Sequence, residues 1–203
     1  MKLFYTKGTC SFGPHIAMRE LGIDPKLIAV NLREKTLPDG SDFLVKNPRG
    51  YVPYIETIDG IGISECGVIL QYLADLVPEK NLIPAAGTIE RYQVQDWLSF
   101  IGSELHKNLP PLFLPNIPEE YRPVARARLD VRLKFVNDEL EGKNYLMGDQ
   151  YSVADSYATA ILNWTKPAKY DLSSLQNVSA YYDRCSARDS VAAATAAEAA
   201  DMP

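Results

Sequence analysis

Cys10 sits where a thiol is easiest to activate. Lys2-Leu3-Phe4-Tyr5 reads as a short strand, and residues 11–21, opened by Ser11 with Pro14 in the first turn, read as a helix. The unpaired N–H groups and positive dipole end of such a helix favour thiolate over thiol, and the thiolate is the form that attacks electrophiles. Two later landmarks extend the pattern: Gly50-Tyr51-Val52-Pro53 ahead of another β-type run, and Ser64-Glu65-Cys66 opening another helix. Together they describe a site that handles thiols. A metal centre does not fit, because His15 and His106 are the only histidines and no close Cys/His spacing accompanies them.

The elements that must carry these residues fall into two groups. Through residue 80, strand and helix signals alternate as β-α-β and then β-β-α. Leu27-Ile28-Ala29-Val30 is the second strand, followed by a polar loop bearing Lys35. Asp59-Gly60 turns a hairpin between Tyr54-Ile55-Glu56-Thr57-Ile58 and Ile61-Gly62-Ile63. The helix over 65–76, with Ser64 as its expected N-cap, places Val68, Ile69, Tyr72, Leu73 and Leu76 on one face. Pro78, Pro84 and Gly87 then punctuate the chain. The division expected is therefore a domain over 1–80, a linker over 81–87 and an all-helical domain over 88–203.

Within that helical part, long runs cover about 89–109 and 119–140, the second with Leu129, Leu133, Val136 and Leu140 as a buried stripe. Ser152-Val153-Ala154-Asp155 has the spacing of a capping box. The alanine-rich stretch 191–200 has high helix propensity but little to pack with, so fraying is expected there.

At 203 residues and 46% hydrophobic content, the chain can bury a sizeable core. Its net charge of −5 argues against nucleic acid or an anionic membrane as partner. Arg122, Arg126, Arg128, Arg132 and Lys134 are accordingly read as a solvated or ion-paired helix face. Three widely spaced cysteines suit a reducing compartment. The polar Thr6-Lys7 leaves no signal-peptide core, and no run approaches the ~18 apolar residues of a membrane span, so a soluble, cytoplasmic protein is expected.

The whole chain resembles a cytosolic glutathione transferase, most closely the bacterial beta class. The resemblance rests on Gly8-Thr9-Cys10-Ser11 with Pro14-His15, on Asn47-Pro48-Arg49-Gly50-Tyr51-Val52-Pro53, and on Ser64-Glu65 followed by Ile69-Leu70-Gln71-Tyr72-Leu73-Ala74-Asp75. Ser103-Glu104-Leu105-His106 and Gly148-Asp149-Gln150-Tyr151-Ser152-Val153-Ala154-Asp155 complete it. It implies an α/β thioredoxin-like N-terminal domain that binds glutathione, and an all-α C-terminal helical bundle that forms the pocket for a hydrophobic electrophile. It further implies a homodimer.

Carried onto this sequence, the resemblance implies a cis Val52-Pro53 bond that exposes the Val52 backbone to the cysteinyl part of glutathione. It gives Glu65 the γ-glutamyl ammonium and Lys35 the glycyl carboxylate. Cys66 stands where family members often carry serine, replacing a hydroxyl contact with a poorer donor. His106 and Lys107 would approach the thiol from the second domain, and Glu104 would reach across the dimer to the partner's glutathione. Two departures stand out: Phe12-Gly13, where Phe12 is expected to narrow the pocket, and Ser156, expected to weaken the cap by spoiling an apolar staple with Tyr151. The electrophile pocket is expected around Pro111-Leu112-Phe113 and Trp164-Thr165-Lys166.

The expected reaction is attack of a glutathione thiolate, held near Cys10 and His106, on an electrophilic carbon. One alternative is thiol transfer or reductive dehalogenation through a Cys10 mixed disulfide; Cys10-Ser11-Phe12-Gly13 excludes an internal disulfide through that turn. Another is a non-catalytic binding or regulatory protein on the same fold. Tyr5 and His15 are read as structural, and Cys185 as an inert thiol.

Overall fold

The computed structural model describes residues 1–200; the last three residues of the expected helical domain, 201–203, lie outside them. A four-stranded sheet forms from β1 (Lys2–Tyr5), β2 (Lys26–Ala29), β3 (Tyr54–Glu56) and β4 (Gly62–Ser64), in the order β2-β1-β3-β4. β1 runs parallel to β2 through the crossover helix α1 (Phe12–Leu21) and antiparallel to β3, which turns back into β4. Central β1 is covered on both faces, which is why consecutive Leu3, Phe4 and Tyr5 are all buried. Gly62 is required by a close approach: a Cβ there would fall within 2.0 Å of the Tyr54 hydroxyl.

Helix α2 spans Cys66–Leu76, and its N-cap is Glu65 because Ser64 is still paired in β4. Its buried face carries Cys66, Ile69, Leu70, Leu73 and Ala74, spaced i, i+3, i+4, i+7, i+8, while Val68 and Leu76 are exposed. The apolar residues of this helix surround most of its circumference, so periodicity alone misplaced the inner face.

The remainder is helical: α3 (Ile89–Phe100), α4 (Arg122–Glu139), α5 (Val153–Leu162), α6 (Gln176–Ser186) and α7 (Asp189–Ala200). The expected stripe on α4 is buried, and three residues of its cationic face are ion-paired, Arg122 with Glu119, Arg132 with Glu104 and Lys134 with Asp138, while Arg126 lies over the Tyr170 ring. Every residue of α5 is buried, which makes it the axis of this part of the molecule. Its capping box closes as the sequence indicates: the Asp155 carboxylate accepts from the Ser152 N–H and hydroxyl, both at 2.8 Å. The same carboxylate also takes the Leu146 N–H and the Tyr181 hydroxyl, each at 2.9 Å. Burial still raises its carboxyl above the ordinary value, so these donors only partly offset desolvation. Ser156 does not leave a gap beside Tyr151, because their hydroxyls hydrogen-bond at 3.1 Å and a polar contact stands in for the apolar staple.

Two expectations are corrected at α7. The alanine-rich helix is docked on α1, where Val191 and Ala194 pack with Phe12, Ile16 and Ala160. Small side chains suit such a close contact, and Glu198 anchors the far end by reaching the buried His15 Nδ1 at 2.9 Å. Phe12 belongs to this cluster, so it faces α7 and does not narrow the pocket. Arg188 holds the start of α7 through a forked pair with Glu20 at 2.6 and 2.8 Å. Among the described residues, no helix is long and apolar enough to cross a membrane.

Replacing Asp155 by alanine should strand the Tyr181 hydroxyl and the Leu146 N–H in the interior along with the open helix end. We expect urea denaturation to show a loss of about 3 kcal/mol or more, with Asp155→Asn intermediate.

Candidate active site

The turn after β1 delivers Cys10, the loop before β3 delivers Val52 and Pro53, and the start of α2 delivers Glu65 and Cys66. From the helical side come His106, Lys107 and Tyr157. All eight line one cavity of about 500 Å³. The Val52-Pro53 bond is cis, as the sequence reading expected. His106 follows a single π-helical turn over Ile101–Leu105 that continues α3, its N–H bonding the Ile101 carbonyl at 2.8 Å. An inserted turn of this kind re-aims the residues after it and recurs at functional sites. Glu65 has φ 74° and ψ 120°, a backbone conformation that costs a non-glycine residue about 1–3 kcal/mol and is held by the surrounding structure.

The chemistry centres on two thiols. Cys10 is 8% exposed and its Sγ lies 3.4 Å from the Val52 carbonyl oxygen, a contact that is a hydrogen bond only while the thiol keeps its proton. Cys66, the first residue of α2, directs its Sγ to the Cys10 carbonyl at 3.2 Å. A hydrogen bond from the Cys66 side chain is the largest influence on Cys10 and holds its thiol well below the ordinary value; burial opposes it, and His106 adds a hydrogen bond and its charge. Cys66 is pushed the other way by burial and by its neighbour Cys10, so it stays a protonated donor.

Tyr157 is also kept protonated, chiefly by burial and then by the nearby thiols. Its hydroxyl lies 2.7 Å from His106 Nδ1. This contact occupies Nδ1 and leaves Nε2 as the ring nitrogen free to turn its N–H toward sulfur. The His106 ring meets Trp164 edge-on at 4.9 Å, and Trp164 meets Phe113 at 6.0 Å. The Trp164 indole N–H donates to the Gly8 carbonyl at 2.8 Å, tying this aromatic wall to the thiol loop.

Not every expected residue joins the cavity. Lys35 donates to the Gly50 carbonyl at 2.9 Å and lies over the Tyr51 ring, outside the lining. Glu104 is engaged within its own chain by Arg132 Nε at 2.5 Å. Cys185 is fully buried on α6, and burial pushes its thiol up to about 12. Arg49, which the sequence reading left without a role, pairs with Glu65 at 3.0 Å, and both groups are more than half exposed. Tyr157 was equally unassigned, since a tyrosine on an apolar helix carries no spacing signal of its own. Among the described residues, no cluster of three His, Cys, Asp or Glu can hold a metal ion.

Residues 9–76 match the family model described as Glutathione S-transferase, N-terminal domain, and residues 100–189 match Glutathione S-transferase, C-terminal domain. The chain belongs to the glutathione S-transferase family. It is 40% identical over 198 residues to Glutathione S-transferase GstA of Escherichia coli O157:H7, covering 98% of each chain. The solved structure of a ternary complex of BphK, a bacterial GST, superposes with a TM-score of 0.96 at 45% identity, covering 98% of this chain and 100% of that one. A bacterial beta class glutathione S-transferase of Sphingomonas chungbukensis gives a TM-score of 0.93 at 40% identity, covering 98% of both.

For this transferase fold, the depressed Cys10 thiol has a direct consequence in solution. Iodoacetamide should modify Cys10 before Cys66 and Cys185, with a rate that changes little between pH 8.5 and 6.5. An ordinary thiol would lose roughly fifty-fold over that interval. Mass mapping at several pH values checks this, and His106→Ala should steepen the pH dependence.

Proposed function

We propose that this glutathione S-transferase family member joins the thiol of glutathione to hydrophobic electrophiles, using the cavity between the sheet and the helical bundle. The observation that carries the reading is the convergence of a depressed thiol, an exposed helix start with a carboxylate beside it, and a histidine on one water-accessible cavity. Glutathione lies along Val52-Pro53, its cysteinyl amide pairing with the Val52 backbone. Its γ-glutamyl ammonium meets Glu65, and its carboxylate meets the N–H groups that open α2 at Cys66. Lys107 on the opposite wall supplies a cation, and Lys35 reaches the glycyl carboxylate after leaving the Gly50 carbonyl.

Two adjacent sulfur anions repel, so the bound pair shares one proton. Cys10 accepts the glutathione proton and returns a hydrogen bond to the resulting thiolate, while the His106 Nε2–H donates from the other side. The electrophile sits against Trp164 and Phe113, and the new carbon–sulfur bond forms as its leaving group departs or its π bond opens. The relatives are named as transferases, and their names lend no support to the thiol-transferase, dehalogenase or non-catalytic alternatives.

The working form in this reading is a cytoplasmic homodimer. Its support is an apolar face on α3 and α4, where Ile89, Tyr92, Val131 and Phe135 are exposed around a groove floored by Trp97 and Phe100. For Glu104 to reach a partner's glutathione, it must exchange Arg132 for that contact.

Retention on immobilised glutathione together with turnover of a generic aryl halide tests the reading, and failure of both overturns it. Glu65→Gln should raise the KM for glutathione by roughly three- to tenfold with little change in kcat at saturation, because it removes recognition of the ammonium in the ground state. Sedimentation at micromolar concentration should give a dimer; a fully active monomer would refute that assignment.

A further inference from the structure

Cys10 and Cys66 are two thiols on one cavity wall, brought together from the entries of α1 and α2. Both are reduced and buried. The Cys66 sulfur lies 3.2 Å from the Cys10 carbonyl oxygen, which places it against the residue that carries the other thiol, and each thiol shifts the titration of the other. Cys185 does not compete, since it is buried on α6 beside Asp155, Thr159 and Tyr181. The turn containing Cys10 lacks a second cysteine, but the fold supplies one from 56 residues away.

We infer that Cys10 and Cys66 form a reversible intramolecular disulfide when an organic hydroperoxide enters the cavity, with Cys66 as the resolving thiol. In the first step the Cys10 thiolate attacks the terminal peroxide oxygen. The O–O bond breaks, an S–O bond forms, and the departing alkoxide takes a proton from water, leaving a sulfenic acid and an alcohol. In the second, the Cys66 sulfur attacks the Cys10 sulfur, the S–O bond breaks, and the thiol proton leaves with hydroxide as water. The two thiols have lost two electrons, and the hydroperoxide has gained them. Two molecules of a glutathione-type thiol reverse the change. The first attacks the Cys10 sulfur to form a mixed disulfide and free Cys66; the second displaces Cys10 and leaves as the oxidised disulfide.

The arrangement favours this order. Oxidation removes the negative charge on Cys10, which is one of the influences that keep Cys66 protonated. Burial, the larger influence, remains, so Cys66 gives up its proton as it attacks the sulfenic sulfur, and the repulsion between two anionic sulfurs no longer opposes that attack. Without it, a sulfenic acid on Cys10 would stay open to further, irreversible oxidation to sulfinic and sulfonic acids. The inference needs only the two thiols and a hydroperoxide, so it stands or falls separately from the conjugation reading.

The test treats the full-length chain with cumene hydroperoxide, blocks free thiols, and maps peptides without reductant. The expected product has lost two hydrogens, links the Cys10 and Cys66 peptides, leaves Cys185 blocked as a free thiol, and regains all three thiols with glutathione or dithiothreitol. In Cys66→Ser, which keeps a small donor at the helix start, Cys10 should instead gain two or three oxygens. Recovery of its thiol should then fall at least about tenfold. Wild-type Cys10 over-oxidised beside a free Cys66, or equal thiol recovery in the variant, would overturn the inference.

Discussion

The close approach of α1 to α5 at Gly13 fixes how the sheet meets the helical bundle. A Cβ at that position would lie 3.3 Å from the Tyr157 Cα and 3.4 Å from the Ser156 carbonyl oxygen, tighter than packed side chains tolerate without a shift. Glycine therefore sets the spacing between the helix that begins at the thiol and the helix that carries Tyr157. From that contact follow the reach of Tyr157 to His106 and to the Cys66 thiol, and the tie from Trp164 to the Gly8 carbonyl. On the outer side of α1, Phe12 and Ile16 meet Val191 and Ala194, so α7 clamps the same helix from behind. A hydrophobic cluster that includes Leu3, Ile55, Leu98 and Tyr157 runs continuously through both parts, which explains why the cavity keeps its shape between them.

Burial alone would raise both thiols on the cavity, yet Cys10 and Cys66 move in opposite directions. The asymmetry comes from the donors. Cys10 receives hydrogen bonds from Cys66 and His106, whereas Cys66 faces the negative charge that those donors stabilise. One proton retained on Cys66 is thus a condition for the thiolate on Cys10. Tyr157 extends the same logic outward, because its protonated hydroxyl orients the imidazole that completes the set.

Much of this was legible in the residues. β1, the hairpin around Asp59-Gly60, the α4 stripe and the Ser152/Asp155 box each depend on local pattern or on contacts within a few residues, and each appears in the structure. The features that escaped depend on distant partners. Helix propensity marks 191–200 as a helix but cannot show that Glu198 finds His15 from 183 residues away. Nor does any periodicity announce the π turn at Ile101–Leu105, where one added residue per turn re-aims His106. The inner face of α2 was misread because Val68 and Leu76 are as apolar as the residues that are buried. Phe12 was placed toward the thiol by its nearness in sequence to Cys10, whereas the helical rotation carries it to α7.

The choice of sulfur at position 66 can be weighed in the same terms. A serine hydroxyl at this helix start would donate a stronger hydrogen bond than a thiol, to a bound carboxylate or to the Cys10 thiolate, and would bury less polarisable surface. Cysteine gives up part of that donation. The cavity compensates in part through His106, which stabilises the same thiolate by hydrogen bond and charge, so the cost to Cys10 is limited. The helix-start N–H groups, which bind anions through the backbone, are unaffected by the side chain. What cysteine adds, and serine cannot, is a second sulfur within reach of the first. A buried position beside a reactive thiol is therefore where exchanging oxygen for sulfur changes the available chemistry most while disturbing the ligand-binding backbone least.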